Sequence, residues 1–294
     1  MLAIIGGSGI YHMDGLEIIE QYQVDTPFGA TSAKISRGIF SHQNEDQTNK
    51  KEVLFLPRHG ENHQLLPSEV NYRANIWALK SLQATQIIGL SAVGSLRADI
   101  EPGDLALPSQ YFDFVKSHRE KSFFGNGMVA HVSTAEPSCR TLAQAIATSA
   151  EKIEQPLHQN QTYACVDGPR LGTRAESLFL KNAADCDLVG MTNVPEAFLA
   201  REAQLCYCTI GIVTDFDCWQ EDASQHVSVE QVISRYGQSL DKAKSLLTHF
   251  ILAEEQNGDS QCECGCRSAL SHALLTPKSA LSPDAAELLE LLSR

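Results

Sequence analysis

The sequence predicts an α/β fold with one central, largely parallel sheet flanked by helices, on three observations. Short apolar runs rich in β-branched residues recur along the chain. Segments of helical periodicity lie between several of them. Glycine, hydroxyl and charged residues follow the runs, at the strand ends where α/β sheets bind their ligands.

Leu2–Ile5 reads as a first strand: its apolar start has no basic flank and glycine interrupts it at once, unlike a signal peptide. Val53–Leu56, Ile87–Leu90, Leu105–Leu107 and Leu188–Met191 follow as short strands. Leu205–Val213, LCYCTIGIV, reads as a buried central strand. VNYRANIWALKSL (70–82) is predicted helical, as is PEAFLAREAQ (195–204), where Pro195 suits a first turn. A third helix is predicted from about Ser228 to Glu255, with apolar residues at helical spacing. Ser41–Lys51, polar throughout, reads as a solvated loop between two strands. In the tail, Ser282 caps and Pro283 opens a short amphipathic helix expected to dock by its leucine face. The expected organisation is one domain over residues 1–255 and a Cys-rich tail over 256–294.

Of the 294 residues, 43% are hydrophobic and 20% charged, which suits a globular chain with a substantial core. The net charge of −13 argues against nucleic acid or an anionic membrane as partner, but not against a small anion held by one Arg and a few N–H groups. No apolar run reaches the roughly 18 residues of a membrane span. Nine cysteines, six of them scattered through the main body, imply reduced thiols and a cytoplasmic location. The other three, in QCECGCR (261–267), allow free thiols, a CxC disulfide or a metal-binding tract; a mononuclear zinc there would need a fourth ligand, for which His272 is the candidate.

Several strand ends could carry chemistry. GGSG (6–9) is either a plain tight turn or an anion site in which backbone N–H groups and Ser8 approach the ligand; it fits neither the dinucleotide fingerprint nor a Walker loop. LPRHG (56–60) places Arg58 beside His59, either as phosphate donors or as a surface Arg and a structural His. His59 and His63 are four apart, but Gly60 stands where a zincin has Glu, so no metal is assigned. In VTDFDCW (213–219) a period of two puts Asp215 and Asp217 on one side of a strand end. Buried acids are costly unless paired, protonated or used. GGSG, RHG, SAVG, MTNVPE and TDFD all follow predicted strands, and five polar turns on one rim describe a site.

GGSGIY (6–11), LPRHGENHQLLPSEVNYRANIWALK (56–80), VGSL (93–96), DGPRLGTRAES (167–177), MTNVPEAFLAREAQLCY (191–207), TDFDCW (214–219) and VSVEQV (227–232) together resemble the trimeric purine nucleoside phosphorylase superfamily, and closely its 5′-methylthioadenosine phosphorylase branch. The resemblance implies a single-domain phosphorylase fold with a mixed sheet, a homotrimer, and phosphorolysis of a purine nucleoside to free base and sugar 1-phosphate. Inorganic phosphate is then a co-substrate and no cofactor is implied. Ser8, Arg58, His59 and Thr192 would hold phosphate, with backbone help at Ala92; Met191 would lie under the ribose, and Thr173 close to the base. Asp215 and Asp217 would meet the N6 and N7 edge of the purine. His63, Val232 and Ile233 would border the 5′ substituent, and His131 would reach a neighbouring subunit's site.

Departure of the purine from an oxocarbenium-like sugar puts negative charge on the base. A carboxylic acid that stays protonated near neutral pH can neutralise it at N7, and crowding two acids in a dry place raises the pKa of one. Asp217 is assigned as that acid and Asp215 as its supporting acceptor, while phosphate supplies the nucleophile and stabilises the cationic sugar. The acid pair favours a 6-aminopurine, with methylthioinosine and other 6-oxopurine nucleosides as the alternative; apolar Val232 and Ile233 favour a methylthio group over a hydroxyl. The sequence departs from the family pattern at Ser109, which replaces an acid, and at Leu171-Gly172, which replaces a more usual Phe-Ser. Two rival functions remain in view. A glycosyltransferase using D-F-D to hold a metal leaves RHG and GGSG unexplained; a purine-binding protein without turnover would not need this full set.

Overall fold

The apolar run at the N-terminus becomes β1 (Leu2–Gly6), buried at every position. In the structure, a computed structural model, residues 1–7, 13, 15–44, 47–220, 229–253 and 262–294 are described. β1 pairs in parallel with β4 (Gln47–Pro57) on one side and β5 (Gln86–Ser95) on the other. β2 (Leu16–Tyr22) and β3 (Ile35–Asn44) continue the sheet antiparallel beyond β4. β5 pairs in parallel along its length with β9 (Cys206–Phe216), and its final Gly94 and Ser95 pair antiparallel with β8 (Leu188–Gly190). β8 leads to β7 (Leu157–Cys165), β7 to β6 (Leu105–Asp113), and β6 back to β9. Five strands therefore close into a small barrel, and the rest fan out from it as an open sheet. The sheet is mixed, and only part of it is open.

Residues alternate between two cores, as a strand period of two requires. Leu2, Ile4, Val53 and Phe55 pack under α2 (Arg140–Lys152) and α5 (Val229–Leu252). Ala3, Ile5, Leu54 and Leu56 pack under α1 (Tyr72–Ser81) and α4 (Asn193–Glu202). α3 (Arg174–Asn182) follows β7. α6 (Pro283–Ser293) begins as expected, with Ser282 Oγ accepting from the Ala285 N–H at 3.2 Å, and its Leu289 and Leu292 join the core over α1.

The segment 41–51 departs from the predicted loop. Its described part is the outer end of the β3–β4 hairpin, with Ser41 opposite Lys50 and Asn44 opposite Gln47. Main-chain bonds hold this ladder, so no alternation of apolar and polar residues marks it. β2 is similar, with five successive exposed residues, and β7 starts with the polar LHQNQT. No helix among the described residues is long and apolar enough to cross a membrane.

Candidate active site

The ends of β1, β4, β5, β8 and β9 meet around a cavity of about 630 Å³. Gly7 comes from the first, Arg58 and His59 from the second, and Ser91–Gly94 from the third. Gly190 ends β8 and Met191 and Thr192 follow it, while Thr214 and Asp215 come from the last strand and Asp217 from just beyond it. The five turns expected on one rim thus line one space, large enough for a nucleoside-sized ligand.

Arg58 is nearly sealed from solvent. Its Nε and Nη2 donate to the two carboxylate oxygens of Glu196, both at 2.7 Å, and Nη1 donates to the Leu90 carbonyl at 2.8 Å. A longer bond runs from Nη2 to the Ile5 carbonyl at 3.4 Å. A guanidinium has five N–H groups, so this fork is committed to Glu196 and leaves one N–H for an anion. Burial works against the Arg58 charge, but Glu196 outweighs it and holds the guanidinium pKa above its ordinary value. Tyr207 Oη donates to Glu196 Oε1 at 2.8 Å and accepts from Asn193 Nδ2 at 2.7 Å, so a buried polar network underlies the pair. Gly89 makes room for it: a Cβ there would stand 2.6 Å from Tyr207 Oη and 3.1 Å from Glu196 Oε1.

His59 Nδ1 lies 2.8 Å from the Leu65 carbonyl, which can only accept, so this nitrogen carries the proton and Nε2 is left as an acceptor. Burial, then the neighbouring Arg58 charge, lowers the His59 pKa to about 4, and the ring is neutral at pH 7. Nε2 can therefore accept a hydrogen bond, and the ring brings no positive charge to an anion. The His63 ring lies against it, with centroids 4.6 Å apart.

The acids line the same cavity at the end of β9. A bulge in β9 sets Val93 opposite Val213 but Gly94 opposite Asp215, re-aiming the strand at Thr214. Thr214 Oγ1 donates to Asp215 Oδ1 at 2.6 Å, and the Asp217 N–H donates to the Ser95 carbonyl at 3.0 Å. Burial raises the Asp217 pKa above the usual carboxylate value. Gly94 lets both acids approach: a Cβ there would lie 3.4 Å from Asp215 Oδ2 and 3.4 Å from Asp217 Cβ.

Arg58, His59, His63, Ala92, Met191, Thr192, Asp215 and Asp217 all line the cavity, as their motifs predict. Thr173 does not. It caps α3, its hydroxyl oxygen accepting from the Glu176 N–H at 3.2 Å while Glu176 accepts from the Thr173 N–H at 2.8 Å; Leu171 and Gly172 face the cavity instead. A Thr followed three residues later by Glu is a capping box, and that local demand takes the hydroxyl. His131 is exposed and away from this chain's own cavity. Ser8 and the side chains of Val232 and Ile233 lie outside the described residues.

Two residues escaped the reading of the sequence. Glu196 stands in a segment that reads as an ordinary amphipathic helix, and its partner is 138 residues away. Arg119 donates to the carbonyls of Met191, Val194 and Asp167 at 2.8–2.9 Å, fixing the turn after β8 against the 167–172 loop. The one available signal was an acid in the first turn of a helix that follows a predicted site turn.

Fold and cavity define a group-transfer enzyme, with donors for a small anion at Arg58 and Thr192 and an acid of raised pKa, Asp217, lining the same space. The chain belongs to the phosphorylase superfamily, whose sequence profile matches residues 1–252. An S-methyl-5′-thioadenosine phosphorylase of Geobacter sulfurreducens is 41% identical over 292 residues, covering 99% of this chain and 97% of the relative. One from Hyperthermus butylicus is 44% identical, covering 93% and 95%. Among solved structures, a methylthioadenosine phosphorylase from an antarctic soil metagenomic library superposes with a TM-score of 0.86 at 39% identity, covering 99% of this chain and 98% of that one. A methylthioadenosine phosphorylase from Schistosoma mansoni, in complex with adenine, gives 0.78 at 33%, covering 92% and 98%.

Proposed function

We propose that this protein is a nucleoside phosphorylase, a pentosyltransferase, that cleaves 5′-methylthioadenosine with inorganic phosphate to adenine and 5-methylthioribose 1-phosphate. The observation that carries the reading is the cavity itself: Asp217, its pKa raised by burial, lines one space together with Arg58, His59 and Thr192.

Phosphate sits against Gly7, the Ala92 backbone, the Thr192 hydroxyl and the remaining Arg58 N–H. Thr192 makes no side-chain capping bond in α4, which suits a ligand contact. A phosphate oxygen bonds to C1′ as the C1′–N9 bond breaks, and its electron pair passes into the purine. Asp217 gives its proton to N7, so the base leaves neutral. Asp215 accepts from the exocyclic amine. Neutral His59 accepts, through Nε2, from a hydroxyl of phosphate or sugar. His63, Leu65 and Leu66 border the cavity on the His59 side and suit an apolar 5′ substituent. Phosphate is a co-substrate, and the reaction requires no cofactor.

Release of base from methylthioadenosine, methylthioinosine, adenosine and inosine, each with and without phosphate and with chelator present, tests this. The expected result is phosphate-dependent, chelator-resistant cleavage, fastest on methylthioadenosine. A preference for methylthioinosine would overturn the assignment of the base and point to Leu171 and Gly172; no cleavage of any nucleoside would sink the function.

The working unit we infer is a cytoplasmic homotrimer in which His131 reaches the neighbouring subunit's site. Val129 and Leu275 support this: both are exposed, 48% and 61%, and a 2.8 Å main-chain bond holds them together beside His131. Light scattering should give three chains per particle; a monomer at assay concentrations would refute it.

A further inference from the structure

Four cysteines from three distant parts of the chain converge away from the cavity. Cys139 ends the segment before α2, Cys206 opens β9, and Cys262 and Cys266 come from the tail. Their four Sγ atoms all lie within 4.8 Å of one another, and Cys139 and Cys262 are 3.6 Å apart. All four are free thiols; three are buried and Cys262 is half-buried. Cys264, between them in sequence, borders the group without belonging to it, its sulfur accepting from the Thr141 N–H at 3.3 Å. His272, the fourth ligand suggested by the sequence, is exposed and outside the group. The body of the protein supplies two ligands, which no spacing within the tail could reveal.

We propose that Cys139, Cys206, Cys262 and Cys266 form a structural tetrathiolate site for one zinc ion, which fastens the C-terminal tail to the first residue of β9. Zn–S bonds of about 2.3 Å in a tetrahedron place the sulfurs about 3.8 Å apart, a small contraction of the group as it stands. An iron–sulfur cluster spreads its cysteines over several metal atoms and fits this separation poorly. Zinc with four thiolates carries two net negative charges, and the surroundings meet them. Arg201 Nη1 donates to Cys266 Sγ at 3.2 Å and to the Cys264 carbonyl at 3.3 Å. Cys139 is the N-cap of α2, where its sulfur accepts from the Leu142 N–H at 3.5 Å at the positive end of the helix dipole. On binding, four S–Zn bonds replace four S–H bonds and the protons pass to solvent. With four protein ligands the metal has no open position, so its role is to hold structure and not to catalyse.

The test uses the full-length, tag-free protein grown in zinc-replete medium and purified under reducing conditions. Elemental analysis should find about one zinc per chain, and a mercurial thiol reagent should release it. Cobalt added to the metal-free protein should give the thiolate charge-transfer and d–d bands of a tetrahedral sulfur site. Cys262→Ser/Cys266→Ser should lose the zinc and expose the tail to proteolysis, whereas Cys264→Ser should retain it. The cobalt spectrum needs no variant, so misfolding of the double mutant does not remove the test. Wild-type protein without zinc and without the cobalt bands, zinc retained by the double variant, or disulfides joining these four cysteines in the purified native chain would each overturn the proposal.

Discussion

Replacing Glu196 by Gln tests the buried pair that fixes Arg58. The two side chains are 3% and 2% exposed, and both carboxylate oxygens accept from the guanidinium at 2.7 Å. An amide keeps one acceptor but turns its NH₂ toward either an Arg58 N–H or the same group plus the Tyr207 hydroxyl, and the Arg58 charge is left without a partner. Removing one member of a buried ion pair costs roughly 3–5 kcal/mol. At about 2–4 °C per kcal/mol for a chain of this size, the melting temperature should fall by roughly 6–20 °C. Phosphate provides the distinguishing arm. In the variant it meets a guanidinium with no counter-charge and one more N–H released from the pair, so added phosphate should raise the melting temperature of Glu196→Gln by more than that of the wild type. Differential scanning calorimetry of both proteins across a phosphate series reads the two effects. A variant that melts within about 2 °C of the wild type, or an equal response of both to phosphate, would refute the reasoning that Glu196 holds the Arg58 fork.

Asp217→Asn removes the proton donor with little change of shape and should lower kcat/KM by roughly 10²–10⁴-fold; a loss below about tenfold would exclude Asp217 as the acid. The same raised pKa gives wild-type activity a basic limb, the rate falling as pH rises through the Asp217 pKa, and Asn should abolish that limb in the residual activity. Gly94→Ala places a methyl 3.2 Å from Val189 Cγ1 and 3.4 Å from both acids, and should reduce kcat/KM with little effect on melting; unchanged kinetics would show that the acids tolerate displacement. Glu202 is raised to about 7 by burial, while its oxygens accept from Ser122 Oγ at 2.8 Å and the Phe123 N–H at 2.7 Å. Between the unfolded value near 4.5 and about 7 the folded state holds a proton the unfolded state lacks, so this group's contribution to stability falls as pH rises through that window and is flat above it. Glu202→Gln keeps both contacts, with Ser122 turning to accept, and should melt higher than wild type at pH 8; an equal or lower melting temperature would refute the burial argument.

The sequence was most informative where one segment meets its own physical demand. β9 announces itself because all of LCYCTIGIV is buried, and the α6 start because Ser282 and Pro283 satisfy a local capping requirement. The cavity-lining motifs were legible for a related reason: each lies at the end of a recognisable strand, and the sheet brings strand ends together. What escaped depends on partners far off in the chain. The β3–β4 extension and β2 are held by main-chain bonds to neighbours and carry no apolar face. Arg58 read as a free phosphate fork because its occupant, Glu196, is fixed only by the fold. Thr173 shows the reverse case: the family position suggested a base contact, while the structure shows its hydroxyl in a local capping box.

Closing the barrel has a further consequence for how this sheet meets other chains. β9, last in the sheet order, turns back to pair with β5, which leaves β2 as the terminal strand of the open part of the sheet, paired only with β3. That strand carries Ile18 and Ile19, 39% and 44% exposed, which would suit addition of a foreign strand. Glu17 and Glu20 flank them, and Ile19 is the extra residue of a bulge, between Ile18 opposite Gly38 and Glu20 opposite Arg37. Charge and a broken register guard this terminal strand against growth of the sheet into an aggregate.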